Sequence, residues 1–169
     1  MPDATLEQNK AIVRKMLDAF NEGNTAVVAE LFDRDIRDSS LGLGLEQELM
    51  DAHPIKRVQT EILREEDVFP DRRFEEEVLV AEGDTVVLRW RMTGTNTKQL
   101  LGRGPTGKKV DTHGVEIVRI QNGKIVEHIS DGGQHFLQVL YQLDLLEDRD
   151  LMQKVRGADR ALARGHRTA

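Results

Sequence analysis

The chain has no cysteine among its 169 residues. That absence excludes disulfides, thiolate nucleophiles and Cys-ligated zinc or iron-sulfur centres, and leaves chemistry to carboxylates, histidines and hydroxyls. It fits a reducing cytoplasm, the expected location. Long apolar runs are missing too. MPDATLEQNK is polar where a signal peptide would be apolar, and no stretch approaches the length that spans a bilayer, so no membrane partner is expected. Bases are outnumbered by acids, 24 to 30, for a net charge of -6. A broad cationic face for nucleic acid is therefore not expected. Closely spaced His and carboxylate ligands are lacking, and GRGPTGKK does not have phosphate-loop spacing, so neither a metal nor a nucleotide is expected.

What remains is 38% hydrophobic and 32% charged, the balance of an ordinary folded domain. The length suits one domain, read as 1–146, followed by a charged tail, 147–169, with weak helical character. Thr5 and Gln8 make a capping-box pattern, after which Leu6, Val13, Met16, Leu17 and Phe20 recur at helical spacing up to Gly23. Val27, Val28, Leu31 and Phe32 predict a second, shorter helix, and 33–40 a turn into a short strand. Pro54 starts a helix placed over 55–66.

From Phe74 the periodicity changes from helical to alternating. Phe74, Val78 and Val80 are assigned to one face. AEGD then turns the chain, and Val86, Leu88, Trp90 and Met92 alternate with Thr85, Val87, Arg89 and Arg91. A Gly-rich crossover loop, 98–109, leads to a second hairpin, 110–121 and 124–131, around Asn122-Gly123. The last apolar segment is 136–146. Helices first and a long antiparallel sheet afterwards give an α+β domain, whose twisted sheet encloses space for a small molecule.

A two-residue turn at 122–123 places Ile117 opposite His128 and Glu116 opposite Ile129. One face then carries Glu116, Val118, Ile129 and Asp131, and the other His113, Ile117, His128 and Ser130. Glu116 and Asp131 become diagonal neighbours across two strands. Two carboxyls in an apolar pocket repel and lose hydration, which raises at least one pKa and suits proton exchange beside a carbonyl. Asp131 and Glu116 are thus the candidate catalytic pair, and His113 and His128, on the other face, are the candidates that would serve if Asp131 faces outward. Trp90, Met92, Val118, Ile129, Phe20 and His135 are the candidate lining for an apolar or aromatic ligand.

AEGDTVVLRWRMTGT, PTGKKV and VEIVRIQNGKIVEHI together resemble the SnoaL-like polyketide cyclase family. The resemblance implies the NTF2-like fold, a cone-shaped α+β barrel with N-terminal helices packed on a curved antiparallel sheet. It also implies a homodimer with one apolar pocket per subunit, no metal and no organic cofactor. The implied activity is ring closure by aldol-type proton transfer in secondary metabolism, with an acid on the last long strand. Counting from GKIVEH puts that acid at Ser130, with Asp131 one place later. Asp131 is therefore the expected acid/base, with Glu116 or His113 as partner. A non-catalytic ligand-binding or accessory protein of the same fold is the alternative, and an epoxide hydrolase-like enzyme, which needs an Asp-Arg-Asp set, is a further one.

Overall fold

The computed structural model describes residues 3–38 and 54–147. The helical spacing of the N-terminal apolar residues becomes α1, Asp3–Asn21, whose Val13, Met16 and Leu17 are buried. α2, Thr25–Leu31, starts where the Asn24 side chain accepts from Val27 N–H. It runs straight into β1, Phe32–Asp38. Pro54 does open a helix, α3, Pro54–Val68, which extends two residues past the expected end. β2, Arg73–Glu82, β3, Thr85–Thr95, β4, Lys109–Gln121, and β5, Lys124–Ser130, follow, and α4, Gly132–Gln142, closes the described chain. Residues 39–53 and most of the tail lie outside the described residues.

The five strands form one curved, unclosed sheet in the order β1-β5-β4-β3-β2. β1 runs parallel to β5, and every other neighbouring pair is antiparallel. The α+β, NTF2-like expectation therefore holds. Alternation along β3 and β4 sends Val86, Leu88, Trp90, Met92, Val110, Glu116, Val118 and Ile120 to the inner face, where they meet the buried sides of all four helices.

Three details differ from the sequence reading. The loop after β3 is a long hairpin connection rather than a crossover, because Thr95 pairs with Lys109 across it. A bulge between Glu76 and Val78 inverts the rest of β2, so Phe74 is buried while Val78 and Val80 are about half exposed. A second bulge lies just past the Asn122-Gly123 turn, whose φ angles of 51° and 75° are the left-handed values such a turn requires. Ile120 pairs with Ile125, but Arg119 pairs with Glu127, so Val126 is the extra residue. Everything beyond it shifts by one. Glu116 faces Ser130, Ile117 faces Ile129 and Val118 faces His128, which corrects the pairs expected from an unbroken hairpin.

Past Ser130, β5 ends and β4 would be left with an open edge. Side chains continue the ladder instead. Asp131 N–H donates to Val115 O and its carboxylate accepts from Val115 N–H at 3.0 Å. Gln138 bonds both backbone groups of His113, and Gln142 both of Asp111. Four helical residues rise about 6 Å and two strand residues about 7 Å, so Gln138 and Gln142 match alternate rungs of β4. The edge is paired without another strand.

Candidate active site

The shift in β5 turns His128 inward, opposite Val118 and diagonal to Glu116. Its ring is bounded by two carboxylates. Nδ1 lies 3.1 Å from Oδ1 of Asp38, which β1 delivers as the direct strand partner of His128, and Nε2 lies 2.7 Å from Oε2 of Glu116. The side chains of His128, Asp38 and Glu116 are 3%, 0% and 7% exposed. The Glu116 contact is a close ion pair whose N–H is not aimed along it, so neither atom has a well-directed hydrogen bond there. Burial alone would push the His128 pKa down. The Glu116 charge, the bond to Asp38 and the close contact with Glu116 outweigh it, and the imidazole is raised to about 10. His128 is a cation at neutral pH.

Glu116 is held from its other side as well. Its Oε1 accepts from Trp90 Nε1–H at 3.0 Å and from Ser130 Oγ–H at 3.0 Å. Ser130 is its direct partner across β4 and β5, and Trp90 reaches it diagonally from β3. The indole can lie there because its strand partner is Gly114, where a Cβ would sit 2.1 Å from Trp90 Cζ2. Glycine at 114 makes room for the tryptophan. Two donors thus fix Oε1, while Oε2 meets the His128 ring as an ion pair.

Trp90 also touches Phe74 edge to face, at 5.1 Å between ring centroids, and His135 at 4.9 Å. Phe74 in turn meets Phe20. Of the expected lining residues, Trp90, Met92, Val118 and His135 are buried on the inner side, and Phe20 is partly buried beside them. Ile129 is on the outer face and 40% exposed, because the bulge moved it there. His113 is also on the outer face, with Nε2 3.2 Å from Glu77. Asp131 is not brought to Glu116. Its carboxylate is turned to the β4 backbone as the first side-chain rung of the edge ladder. Arg89 and Arg91 pair with Glu77 and Asp111 on the outer face, away from Trp90.

Sequence reasoning missed Asp38 and Glu65. Asp38 is ninety positions from His128, and only a parallel long-range pairing joins them. Glu65 had a readable signal, for Val58, Ile62, Glu65 and Phe69 follow a helical stripe whose other members are apolar and buried. Among the described residues no group of three or more His, Asp or Glu has the arrangement of a metal site, and no helix is long and apolar enough to cross a membrane. An open groove of about 510 Å³ is lined mostly by polar residues, among them Arg14, Asp18, Arg73 and Glu76, and reaches Phe74.

The fold and the inward carboxylate-histidine assembly coincide with a family match. The profile described as SnoaL-like polyketide cyclase matches residues 10–131. The chain belongs to the SnoaL-like polyketide cyclase family. Among solved structures it is similar to AclR from Streptomyces galilaeus, provisionally assigned as a hydroxylase. The two are 26% identical with a TM-score of 0.69, over 83% of this chain and 98% of that one. It is also similar to IdmH from Streptomyces antibioticus, provisionally assigned as a polyketide cyclase, at 25% identity and a TM-score of 0.65 over 78% and 98%. TsrD from Streptomyces laurentii shares the fold at 21% identity and a TM-score of 0.67 over 83% and 97%. No curated protein matches the sequence.

Proposed function

We propose that this SnoaL-like protein catalyses a cyclase-type proton transfer on a largely apolar carbonyl compound, with Glu116 rather than Asp131 as the carboxylate that meets the substrate. The observation that carries this reading is the buried chain Asp38–His128–Glu116, closed by Trp90 and Ser130. A carboxylate that removes a proton beside a carbonyl must be kept ionised in an apolar surrounding. The His128 cation and two neutral donors surround the Glu116 carboxylate, and Asp38 holds the imidazole in place. The acid that the family pattern places on the last strand is Ser130 here, and its hydroxyl is bonded to the carboxylate on the neighbouring strand. On this reading the carboxylate acts from the neighbouring strand, directly across from the position of the family's acid.

Ser130 also favours a second reading, a ligand-binding or accessory protein with the family fold, since its own hydroxyl is no acid. A chromatographic ring-closure assay on tricyclic polyketide esters separates the two, with binding followed by thermal shift. Glu116→Gln is expected to lower turnover by about 10²- to 10⁴-fold while binding persists. Full turnover in Glu116→Gln would sink the assignment, and binding without turnover in either protein would favour the accessory reading. Exposed Ile117 and Ile129 on the outer face support a homodimer through that surface.

A further inference from the structure

A second polar pair lies beside this assembly and is not used by it. His135 comes from α4 and packs its ring edge to face on Trp90. It is 4% exposed, and its Nδ1 has no hydrogen-bond partner. Its Nε2 lies 4.0 Å from Oε1 of Glu65, which α3 supplies from the inward stripe. The Glu65 side chain keeps about a fifth of its surface open, yet enough protein surrounds it to strip most of its hydration. An unpartnered ring nitrogen in such surroundings is a vacancy for one hydrogen-bonding group of a ligand.

We propose that Glu65 and His135 form a proton-linked anchor for an oxygen of an otherwise apolar ligand, in which the Glu65 proton decides whether His135 Nδ1 donates or accepts. A neutral imidazole carries one proton. When Glu65 is ionised, Nε2–H points to it and Nδ1 accepts, which suits a hydroxyl. When Glu65 is protonated, its O–H donates to Nε2 and Nδ1–H is free to donate to a carbonyl. The 4.0 Å gap needs to close by about 1 Å for either bond. The surrounding charges suit this role. Burial raises the Glu65 carboxyl to about 7, with Arg72 pulling it down and Glu116 pushing it further up. Burial lowers His135 to about 4, so the ring stays neutral while Glu65 titrates. Glu66, the remaining acid near Arg72, is exposed.

On the proton-transfer reading above, on which this last step rests, the anchor completes an enolisation. Glu65 gives its proton to Nε2 as Nδ1–H passes to the carbonyl oxygen, and the α-carbon proton goes to Glu116. The C=O becomes C–OH, Glu65 is left ionised, and each proton has one donor and one acceptor.

The test reads the anchor without turnover, so it can fail while the role of Glu116 stands, and the reverse. Nitrogen-15 NMR of the histidine rings is expected to show the His135 proton moving from Nδ1 to Nε2 between about pH 5.5 and 8, and no such change in Glu65→Gln. Quenching of Trp90, the sole tryptophan, then reports binding of 2-naphthol, a hydroxyl donor, and 2-acetylnaphthalene, a carbonyl acceptor. Raising the pH is expected to tighten 2-naphthol and weaken 2-acetylnaphthalene by roughly two- to tenfold each, and Glu65→Gln to flatten both responses. A fixed tautomer, parallel pH responses of the two probes, or binding of neither would overturn the proposal. The wild-type measurements decide this even if Glu65→Gln does not fold.

Discussion

β4 carries ionisable residues on both faces, and the two faces treat them differently. Outside, Asp111 and His113 pair with Arg91 and Glu77, side chains that are all roughly a third to a half exposed. Inside, Glu116 meets His128 with both nearly free of solvent. Water screens the outer pairs, so their contacts are worth little beyond what hydration already gives. The inner pair has lost that hydration, so removing either partner leaves the other buried without its counter-charge. Residue type was no guide to which set is buried. The face decides, and the bulge in β5 decides that His128 joins Glu116 on the inner one.

The comparison is broken most severely by removing His128. His128→Gln leaves Glu116 and Asp38 buried with no cation between them and is expected to cost about 3–5 kcal/mol of unfolding free energy. Urea titration measures it, and a loss under 1 kcal/mol would mean that the inner pair is no more coupled than the outer ones. The pH dependence gives the same contrast in wild type. The folded His128 pKa, about 10, stands above the ordinary 6.5. Its contribution is therefore complete below 6.5 and is lost as pH rises through 10. Wild-type stability should fall across that window, and His128→Gln should lack the fall.

Much of this was readable before the structure. The alternation of Val86, Leu88, Trp90 and Met92 and the Asn122-Gly123 turn identified the central strands, and Glu116 and Trp90 were placed on the inner face correctly. The register was not readable by counting from the turn, because a bulge adds a residue without a distinctive sequence of its own. Ile125 and His128, both buried, are three apart in a strand whose neighbours alternate by two, a break visible in the burial and not in the residue types. Asp38 was beyond local reasoning, since nothing in the local pattern fixes a parallel pairing between segments so far apart. Glu65 was visible as an acid on an apolar stripe, where burial rather than solvation is the expectation.

A smaller effect sharpens the comparison at the backbone. Gly114→Ala puts a methyl 2.1 Å from the Trp90 ring, and backbone and indole must separate. That overpacking should cost about 1–3 kcal/mol. It should also loosen the Trp90 bond to Glu116, so the change is expected in tryptophan emission as well as in thermal stability. Gly114 has no comparable role on the outer face. An unshifted emission spectrum would mean that the ring's hold on the carboxylate is independent of the space glycine provides.

The smallest effect belongs to the outer face. Arg91 bonds Asp111 through two nitrogens, and this bond holds the Asp111 carboxyl below its usual range, with burial opposing and the Arg91 charge assisting. The geometry is better directed than that of His128 and Glu116, yet both side chains stay in contact with water. Asp111→Asn is therefore expected to change stability by less than about 1 kcal/mol, and by less still in high salt. A loss approaching that of His128→Gln would show that the outer face is itself desolvated. A second copy of the chain pressed against exposed Ile117 and Ile129 would have that effect, so the loss should then depend on protein concentration. Measuring Asp111→Asn at two protein concentrations thus asks whether exposure separates the faces in solution as it does in the single chain.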